Sequence, residues 1–412
     1  MSARGPSPAG SETPTGRSPN FPRAVEPLGS GGRVRRVATA AGKLNRWKQY
    51  RHPMTEHYQV TVVGGGPAGL TAALYTTRLG HDTAVIDRGG GRAAMMLDTH
   101  NVIGITEEVS GNEFLATATE QVREYGADYF QDFVSAVEPA DEGFRVTADD
   151  VEATTDHVVL ATGFSDEQPD PPLPRTGRGL HWCLHCDAYM FVDEPVYVMG
   201  TGDSAAHVAM IMLNFTPDVD LLTRGEEPEW SAETQAMLEA HPVDVVHEEI
   251  ADLERREDGW LEVFEFEDTV GPRPTSSRTE SGDGTRREYR GGFPMYGSDY
   301  NTDLAESLGV ELNDDGTVAV DDHGRTNVDG VYAVGDVTPG HNQIPTAMGE
   351  GARCGIGNHY DLRAFPRSVE EIEADGPVAE SDVPAISERL RSRALAHEGH
   401  PGREERAPAD DD

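Results

Sequence analysis

The sequence predicts an α/β protein that contains two doubly wound domains. The first indication is residues 58–63, a β-branched segment that runs into glycines and then into a helical stretch, residues 70–79. The second is the same order of elements at residues 196–199, where an apolar strand precedes a glycine turn and an Ala/Met/Leu-rich helix. Strand, glycine turn and helix in succession are typical of parallel sheets covered by helices. At 412 residues, the chain is long enough for two or three such domains.

The first glycine turn reads Gly64-Gly65-Gly66-Pro67-Ala68-Gly69 and fits the pattern Gly-x-Gly-x-x-Gly. In this pattern Gly64 permits the tight turn, Gly66 lets a pyrophosphate approach the backbone, and Gly69 allows close packing of helix and strand. Asp87 ends the next predicted strand, where its carboxylate can accept hydrogen bonds from ribose hydroxyls. The segment therefore predicts a site for a dinucleotide with an unphosphorylated ribose, such as FAD or NAD.

Two further strands end in short glycine motifs. The strand at residues 157–160 runs into Ala161-Thr162-Gly163, and the strand at residues 330–334 runs into Gly335-Asp336. A carboxylate at the end of a strand can bind hydroxyls beside a phosphate held by a helix N-terminus. Each of these segments is a weak signal alone.

The cysteines form a candidate redox site. Cys183 and Cys186 are two of only three cysteines, too few for the disulfide framework of a secreted protein. Their spacing suits half of a zinc site or a dithiol/disulfide couple. His181, His185 and Asp187 are nearby, but a second cysteine pair is missing, so we predict a redox couple and no metal site. The third cysteine, Cys354, is interpreted as a buried, inert thiol.

The ordered motifs, with Cys183-Leu184-His185-Cys186-Asp187 shortly before the second glycine turn, resemble the low-molecular-weight thioredoxin reductases of the pyridine nucleotide-disulfide oxidoreductase family. The resemblance covers residues 57–366. It implies FAD as cofactor, with Asp336 on the ribityl chain and Gln343 and Ile344 against the flavin ring. It also implies that Cys186 is the thiol nearer the flavin, that Cys183 exchanges with the substrate, and that Asp187 is the acid/base.

The resemblance further implies two Rossmann-like dinucleotide-binding domains, the second inserted in the first. The expected FAD-binding domain comprises residues 55–172 and 292–366, and the expected inserted domain with the cysteine pair comprises residues 173–291. Relatives of this kind form homodimers, and their inserted domain rotates between flavin and substrate. We expect a disordered basic extension at residues 1–54 and an acidic, solvated tail at residues 367–412 with a short helix near residues 382–395.

The electron donor is left open by the second glycine turn. Its candidate NAD(P)-binding residues are Gly200, Gly202, Asp203, Ser204, Ala205 and Arg224. Relatives that use NADPH place a His-Arg-Arg cluster after the next strand, whereas Arg224 is followed here by Gly225-Glu226-Glu227. A ribose 2′-phosphate needs dense positive charge, so a preference for NADPH is doubtful, and NADH or another donor such as ferredoxin remains open.

Three functions are compatible with these residues. The first is a thioredoxin reductase-like enzyme that reduces a thioredoxin-like protein or a small disulfide. The second is a flavin-dependent dithiol oxidase that uses oxygen, and the third is a flavin-binding regulator whose nucleotide unit has decayed. The intact cysteine pair and Asp187 disfavour the regulator.

The charge of the chain excludes some partners. It carries 73 acidic and 34 basic residues, a net charge of −39, which disfavours nucleic-acid binding. Lysine occurs only at Lys43 and Lys48, and the acid-rich, lysine-free remainder is similar to proteins of extreme halophiles.

Apolar runs long enough to span a membrane are lacking, so we expect a soluble, cytoplasmic protein. Either residues 1–53 are a basic arm, or Met54 is the true start of translation.

Overall fold

The structure is a computed structural model that describes residues 56–168, 173, 176–267, 286–397 and 399. The expected N-terminal extension at residues 1–54 lies outside these residues, as does the acidic end of the chain at residues 410–412. Within the part of the chain that is described, no helix has the length and apolar character required to cross a membrane.

The described residues form sixteen β-strands and ten α-helices. The strands are β1 (Glu56–Val63), β2 (Thr83–Asp87), β3 (Asp128–Gln131), β4 (Val134–Pro139), β5 (Phe144–Ala148), β6 (Glu152–Leu160), β7 (Phe164–Asp166), β8 (Val196–Met199), β9 (Val219–Leu222), β10 (Asp244–Val246), β11 (Ile250–Arg255), β12 (Leu261–Phe266), β13 (Arg286–Glu288), β14 (Gly291–Pro294), β15 (Ser298–Tyr300) and β16 (Val331–Ala333). The helices are α1 (Pro67–Arg78), α2 (Arg92–Met95), α3 (Gly111–Tyr125), α4 (Leu184–Asp187), α5 (Asp203–Met212), α6 (Ala232–Ala240), α7 (Asp303–Ser307), α8 (Ile344–Leu362), α9 (Val369–Asp375) and α10 (Glu388–Ala396).

The first domain is built on a sheet with strand order β3-β2-β1-β6-β5-β4, in which β16 also pairs with β6. Strand β1 pairs in parallel with both β2 and β6 and is therefore central. Its side chains alternate between two cores: Val60 and Val62 pack toward α1 and α8, and Val63 belongs to the core on the opposite face. Burial on both faces confirms the predicted doubly wound layers.

The second domain has a parallel sheet with strand order β10-β9-β8-β14. All four residues of β8 are buried, as expected for a strand covered on both faces. Val196 and Val198 pack in a core with the apolar residues of α5, while Tyr197 and Met199 pack with Phe264 of the antiparallel sheet β11-β12-β13. This domain is inserted between β7 and β15, which pair with each other and connect it to the first domain.

The return from the second domain lies later in the chain than the expected boundary at residue 292. Strand β14 pairs in parallel with β8, so residues 292–294 belong to the second sheet. The two glycines of this strand are required by close packing. A Cβ on Gly292 would lie only 2.0 Å from the carbonyl oxygen of Tyr197.

Part of the expected acidic tail forms a helix that contacts the first domain. Helix α10 begins after Ser387, whose side chain accepts a hydrogen bond from the backbone N–H of Leu390. Arg389 of this helix pairs with Asp128 at 2.7 Å, and the Arg393 guanidinium lies 5.0 Å from the centre of the Tyr125 ring. The tail therefore carries a basic helix that packs beside α3.

Candidate active site

The first glycine turn has close packing behind it and open space in front of it. Gly64 has φ +109°, and a Cβ there would lie 2.3 Å from the carbonyl oxygen of Ala161. A Cβ on Gly69 would lie 2.0 Å from the carbonyl oxygen of Gly64, whereas a Cβ on Gly66 would meet no atom within 4 Å. Gly66 is the N-cap of α1, Pro67 and Ala68 begin the helix, and no side chain caps its amides. This end of α1 fits a pyrophosphate.

Asp87 lies at the end of β2, beside the glycine turn. A Cβ on Gly65 would lie 2.7 Å from the Asp87 carboxylate, so the two segments are in contact. The Tyr129 hydroxyl of β3 donates a hydrogen bond to Asp87 Oδ2 at 2.7 Å. Burial and this hydrogen bond raise the pKa of Tyr129, which keeps its hydroxyl a donor. Tyr129 orients the Asp87 carboxylate, a contact that no sequence motif indicated.

The segment Ala161-Thr162-Gly163 follows β6 at the same edge of the sheet. The Thr162 hydroxyl donates to the carbonyl oxygen of Asn301 at 2.7 Å, and the Asn301 amide donates to the Thr162 carbonyl oxygen at 2.9 Å. Gly163 has φ +64° with open space where a Cβ would stand. These two hydrogen bonds hold residues 161–163 against Asn301, which follows β15.

Gly335 and Asp336 meet the first glycine turn. A Cβ on Gly335 would lie 2.7 Å from the Ala68 Cβ, which places the two motifs side by side. Asp336 is largely buried, and burial raises the pKa of its carboxyl, although the Arg92 guanidinium at 3.6 Å opposes this effect. Arg92 also pairs with Asp166 at 2.8 Å. Sequence reasoning missed Arg92, which lies in a short helix after a run of glycines.

The predicted FAD-binding residues are thus brought to one edge of the first sheet. Open space at Gly66, uncapped amides at the start of α1 and two carboxylates at the same edge fit an extended dinucleotide. The last predicted pair, Gln343 and Ile344, forms the N-cap and first residue of α8.

Cys183 and Cys186 form a disulfide that contacts the start of α8. Cys183 is the N-cap of α4, and its Sγ accepts a hydrogen bond from the backbone N–H of Cys186 at 3.1 Å. Gln343 Nε2 donates to Cys183 Sγ at 3.3 Å, and Gln343 Oε1 lies 3.6 Å from Cys186 Sγ. The same oxygen accepts a hydrogen bond from Asn101 of the first domain at 3.0 Å. A single glutamine therefore links the disulfide to the domain that fits FAD.

Asp187 lies between two histidines. His181 Nδ1 is 2.7 Å from Asp187 Oδ2, and His100 Nε2 is 3.3 Å from Asp187 Oδ1. The His181 side chain is only 2 % exposed and packs against the rings of Phe191 and Trp260. In the sequence His181 was one of the residues considered as a zinc ligand. In the structure its ring contacts Asp187, the predicted acid/base. Among the described residues, no group of three His, Cys, Asp or Glu side chains could hold a metal ion.

The second glycine turn repeats the geometry of the first. Gly200 has φ +140°, and Gly202, the N-cap of α5, has open space where a Cβ would stand. Asp203, Ser204 and Ala205 form the first turn of α5, where Ala205 is buried and Ser204 is exposed.

Two charged residues beside this turn are engaged within the protein. Asp203 accepts a hydrogen bond from the backbone N–H of Ser231 at 2.9 Å, and hydrogen bonds from Thr234 and Ser231 lower its pKa. The Arg224 side chain is 5 % exposed and pairs with Glu249 at 2.8 Å. The one arginine expected to face an NAD(P) ribose is therefore held by a glutamate.

Cys354 lies in α8, away from the disulfide. Its side chain is fully buried, and burial raises the pKa of the thiol. A buried thiol of this kind is a poor nucleophile because little of it is a thiolate.

Comparisons with known proteins agree with this geometry. Residues 58–351 match the family described as pyridine nucleotide-disulphide oxidoreductase. The chain is 30 % identical over 304 residues to a thioredoxin reductase from Peptoclostridium acidaminophilum, covering 73 % of this chain and 95 % of that protein. It is also 30 % identical over 300 residues to a thioredoxin reductase from Bacillus subtilis, covering 72 % and 92 % respectively. The structure of a thioredoxin reductase from Streptococcus pyogenes superposes with a TM-score of 0.66 at 27 % identity over 76 % of this chain and all of that one. The chain therefore belongs to the pyridine nucleotide-disulphide oxidoreductase family, whose members of this type are FAD-dependent oxidoreductases acting on sulfur groups.

Proposed function

We propose that the protein passes electrons from a reduced donor, through FAD, to the Cys183–Cys186 disulfide and on to a thioredoxin-like protein or a small disulfide. The observation that carries this proposal is the contact between the disulfide and Gln343 at the start of α8. The relatives named as thioredoxin reductases support the choice of substrate. When bound, FAD would supply the two electrons that open the disulfide.

The residues that would hold FAD come from the first domain. We assign this role to Gly64, Gly66, Pro67, Ala68, Gly69, Asp87, Ala161, Thr162, Gly163, Gly335, Asp336, Gln343 and Ile344. The open face at Gly66 and the carboxylates of Asp87 and Asp336 support the assignment.

The two cysteines would pass the reducing equivalents to the substrate by thiol–disulfide exchange. The Cys183 thiolate attacks one sulfur of the substrate disulfide, forms a mixed disulfide and releases the first substrate thiolate. Cys186 then attacks Cys183, which restores the protein disulfide and releases the second. Asp187 supplies a proton to a departing sulfur, because a thiol is a better leaving group than a thiolate.

An anaerobic titration of the FAD-loaded protein tests this function. NADH, NADPH and reduced ferredoxin are added separately while flavin absorbance is followed, and a thioredoxin is then added. The proposal expects one donor to bleach the flavin rapidly and the thioredoxin disulfide to be reduced. If no donor bleaches the flavin and added dithiols consume oxygen instead, the protein is a dithiol oxidase.

We infer that NADH is preferred over NADPH, with Gly200, Gly202, Asp203, Ser204 and Ala205 as its binding turn. The loop after β9 touches this turn, since the backbone N–H of Glu229 donates to the Thr201 carbonyl oxygen at 2.8 Å. It carries exposed Glu226 and Glu227, which would repel a 2′-phosphate, and Arg224 is paired with Glu249.

The donor preference can be changed at that loop. The double variant Glu226→Arg/Glu227→Arg is expected to lower the KM for NADPH about tenfold and to change the KM for NADH little, because only NADPH carries the 2′-phosphate. Steady-state kinetics with both nucleotides measure this, and Glu370→Arg/Glu373→Arg on exposed α9 is the charge-matched control. Equal effects of the two double variants would contradict the placement of the ribose.

We propose that the protein requires high salt. With a net charge of −39, carboxylate repulsion disfavours the compact state unless salt screens it over a few Å. Reducing KCl from molar to about 0.1 M is expected to lower Tm by more than about 10 °C. Sucrose at matched osmolality should not replace KCl, and a Tm indifferent to KCl would overturn the proposal.

We also propose that the protein is a homodimer, as its resemblance implies, and that it is cytoplasmic. The small number of cysteines is consistent with a reducing compartment. Sedimentation in molar KCl tests the dimer directly, and a mass of one chain would contradict it.

A further inference from the structure

His100 links the two domains at the disulfide. It lies between α2 and α3 of the first domain, and its side chain is 11 % exposed. Nδ1 lies 2.6 Å from Asp98 Oδ1. Nε2 lies 3.1 Å from the carbonyl oxygen of Cys186 and 3.3 Å from Asp187 Oδ1, both in the second domain. One imidazole thus joins a carboxylate of the first domain to the helix that carries the disulfide.

Both ring nitrogens of His100 face only oxygen acceptors. A neutral imidazole has one N–H and would turn a lone pair toward Asp98 or toward the Cys186 carbonyl and Asp187. The imidazolium donates in both directions and satisfies all of these contacts. Burial alone would lower the pKa of His100, but the hydrogen bonds to Asp98 and Cys186 and the charges of Asp98 and Asp187 outweigh it and raise the pKa.

We propose that His100 is a positioning residue for Asp187 and the disulfide. As an imidazolium held by Asp98, it fixes the Asp187 carboxylate and the Cys186 main chain against the domain that fits FAD. His181 holds the other oxygen of Asp187 from within the second domain. Asp187 therefore has partners in both domains only while the disulfide lies at the start of α8. This inference rests on the proposed function in that it takes Asp187 as the acid/base.

The contact depends on pH with a definite sign. The groups that face His100 are Asp98 on its own loop, Asp187 of α4 and the ring of Tyr189, whose centroid is 5.2 Å away. Burial and nearby carboxylates, including Glu107, raise the pKa of Tyr189, so its hydroxyl stays neutral. Because the pKa of His100 is raised, the contact is complete below the ordinary histidine value and is lost as pH rises through the raised pKa.

Hydrogen exchange of the FAD-loaded, oxidised full chain tests the positioning without turnover. His100→Phe is expected to raise amide exchange in α4 about tenfold relative to wild type at pH 6. The difference is expected to be smaller at high pH, where neutral His100 keeps a single N–H. His100→Gln keeps one amide donor and is expected to restore part of the protection without its dependence on pH. His57→Gln is the matched control, because His57 pairs with Asp156 on an exposed part of the first domain.

Turnover provides the second readout. His100→Phe is expected to lower kcat for disulfide reduction about tenfold at pH 6 with little change in KM for the disulfide, and to flatten the pH profile. Wild-type exchange in α4 and a wild-type pH profile in this variant, or equal effects in His57→Gln, would overturn the inference. Absence of disulfide turnover in wild type, with the exchange difference intact, would overturn the proposed function and leave the contact between the domains standing.

Discussion

Gly66→Val is expected to weaken FAD binding by at least about 100-fold while the fold is retained. A Cβ at this position would meet no protein atom within 4 Å, and the backbone of Gly66 is extended, so valine is tolerated by the protein itself. The added side chain instead occupies the space in front of the α1 amides, where the pyrophosphate is proposed to lie. Equilibrium dialysis of FAD, with circular dichroism as the test of folding, measures both effects.

Gly202→Val is the matched control for this variant. Gly202 holds the corresponding position in the second turn, with extended backbone and the same open space. This variant is expected to keep FAD and to lose reduction by the pyridine nucleotide. If Gly66→Val retained FAD, or if Gly202→Val released it, the assignment of the two turns would be wrong.

Cys186→Ser is expected to retain FAD and to lower disulfide turnover by at least about 1000-fold. Serine fills nearly the same volume, but its hydroxyl cannot form a disulfide with Cys183 or accept the electron pair that opens one. Turnover with a thioredoxin and flavin absorbance of the purified protein measure the two parts of this prediction.

Cys354→Ala is the control that shows whether turnover depends on the Cys183–Cys186 pair or on any cysteine. Cys354 is buried in α8 and contacts Asn358 rather than the disulfide, so turnover is expected to stay within about twofold of wild type. Full turnover in Cys186→Ser would refute the exchange mechanism, as would equal losses in both variants.

Local patterns predicted the fold because the geometry of the turns and strands is set within a few residues. The turn at Gly64 requires φ +109° and close packing against Ala161, which a side chain would block. The glycine pattern therefore predicts this turn directly. The same reasoning placed residue 292 in the first domain, whereas Gly291 and Gly292 belong to β14 of the second sheet. Side chains at these two positions would clash with Phe191 and Tyr197, which are distant in sequence, so sequence patterns do not show why glycine is needed.

The polar contacts around the site could not be predicted because they join distant parts of the chain. Tyr129 reaches Asp87 through the pairing of β2 with β3. His100 reaches Asp187 only through the way that the two domains pack, and nothing in its local sequence marks it. Arg224 was predicted as a possible NAD(P)-binding residue because it follows β9. Its partner Glu249 lies 25 residues later in the chain, so local sequence could not show that the arginine is already paired.

Counting thiols after anaerobic reduction tests most directly the claim that electrons pass through Cys183 and Cys186. The oxidised protein, denatured and alkylated, is expected to show one thiol, at Cys354. After reduction by the donor that bleaches the flavin, all three cysteines are expected to be alkylated. A bleached flavin with Cys354 still the only alkylated cysteine would contradict the account, because electrons would then reach FAD and stop there.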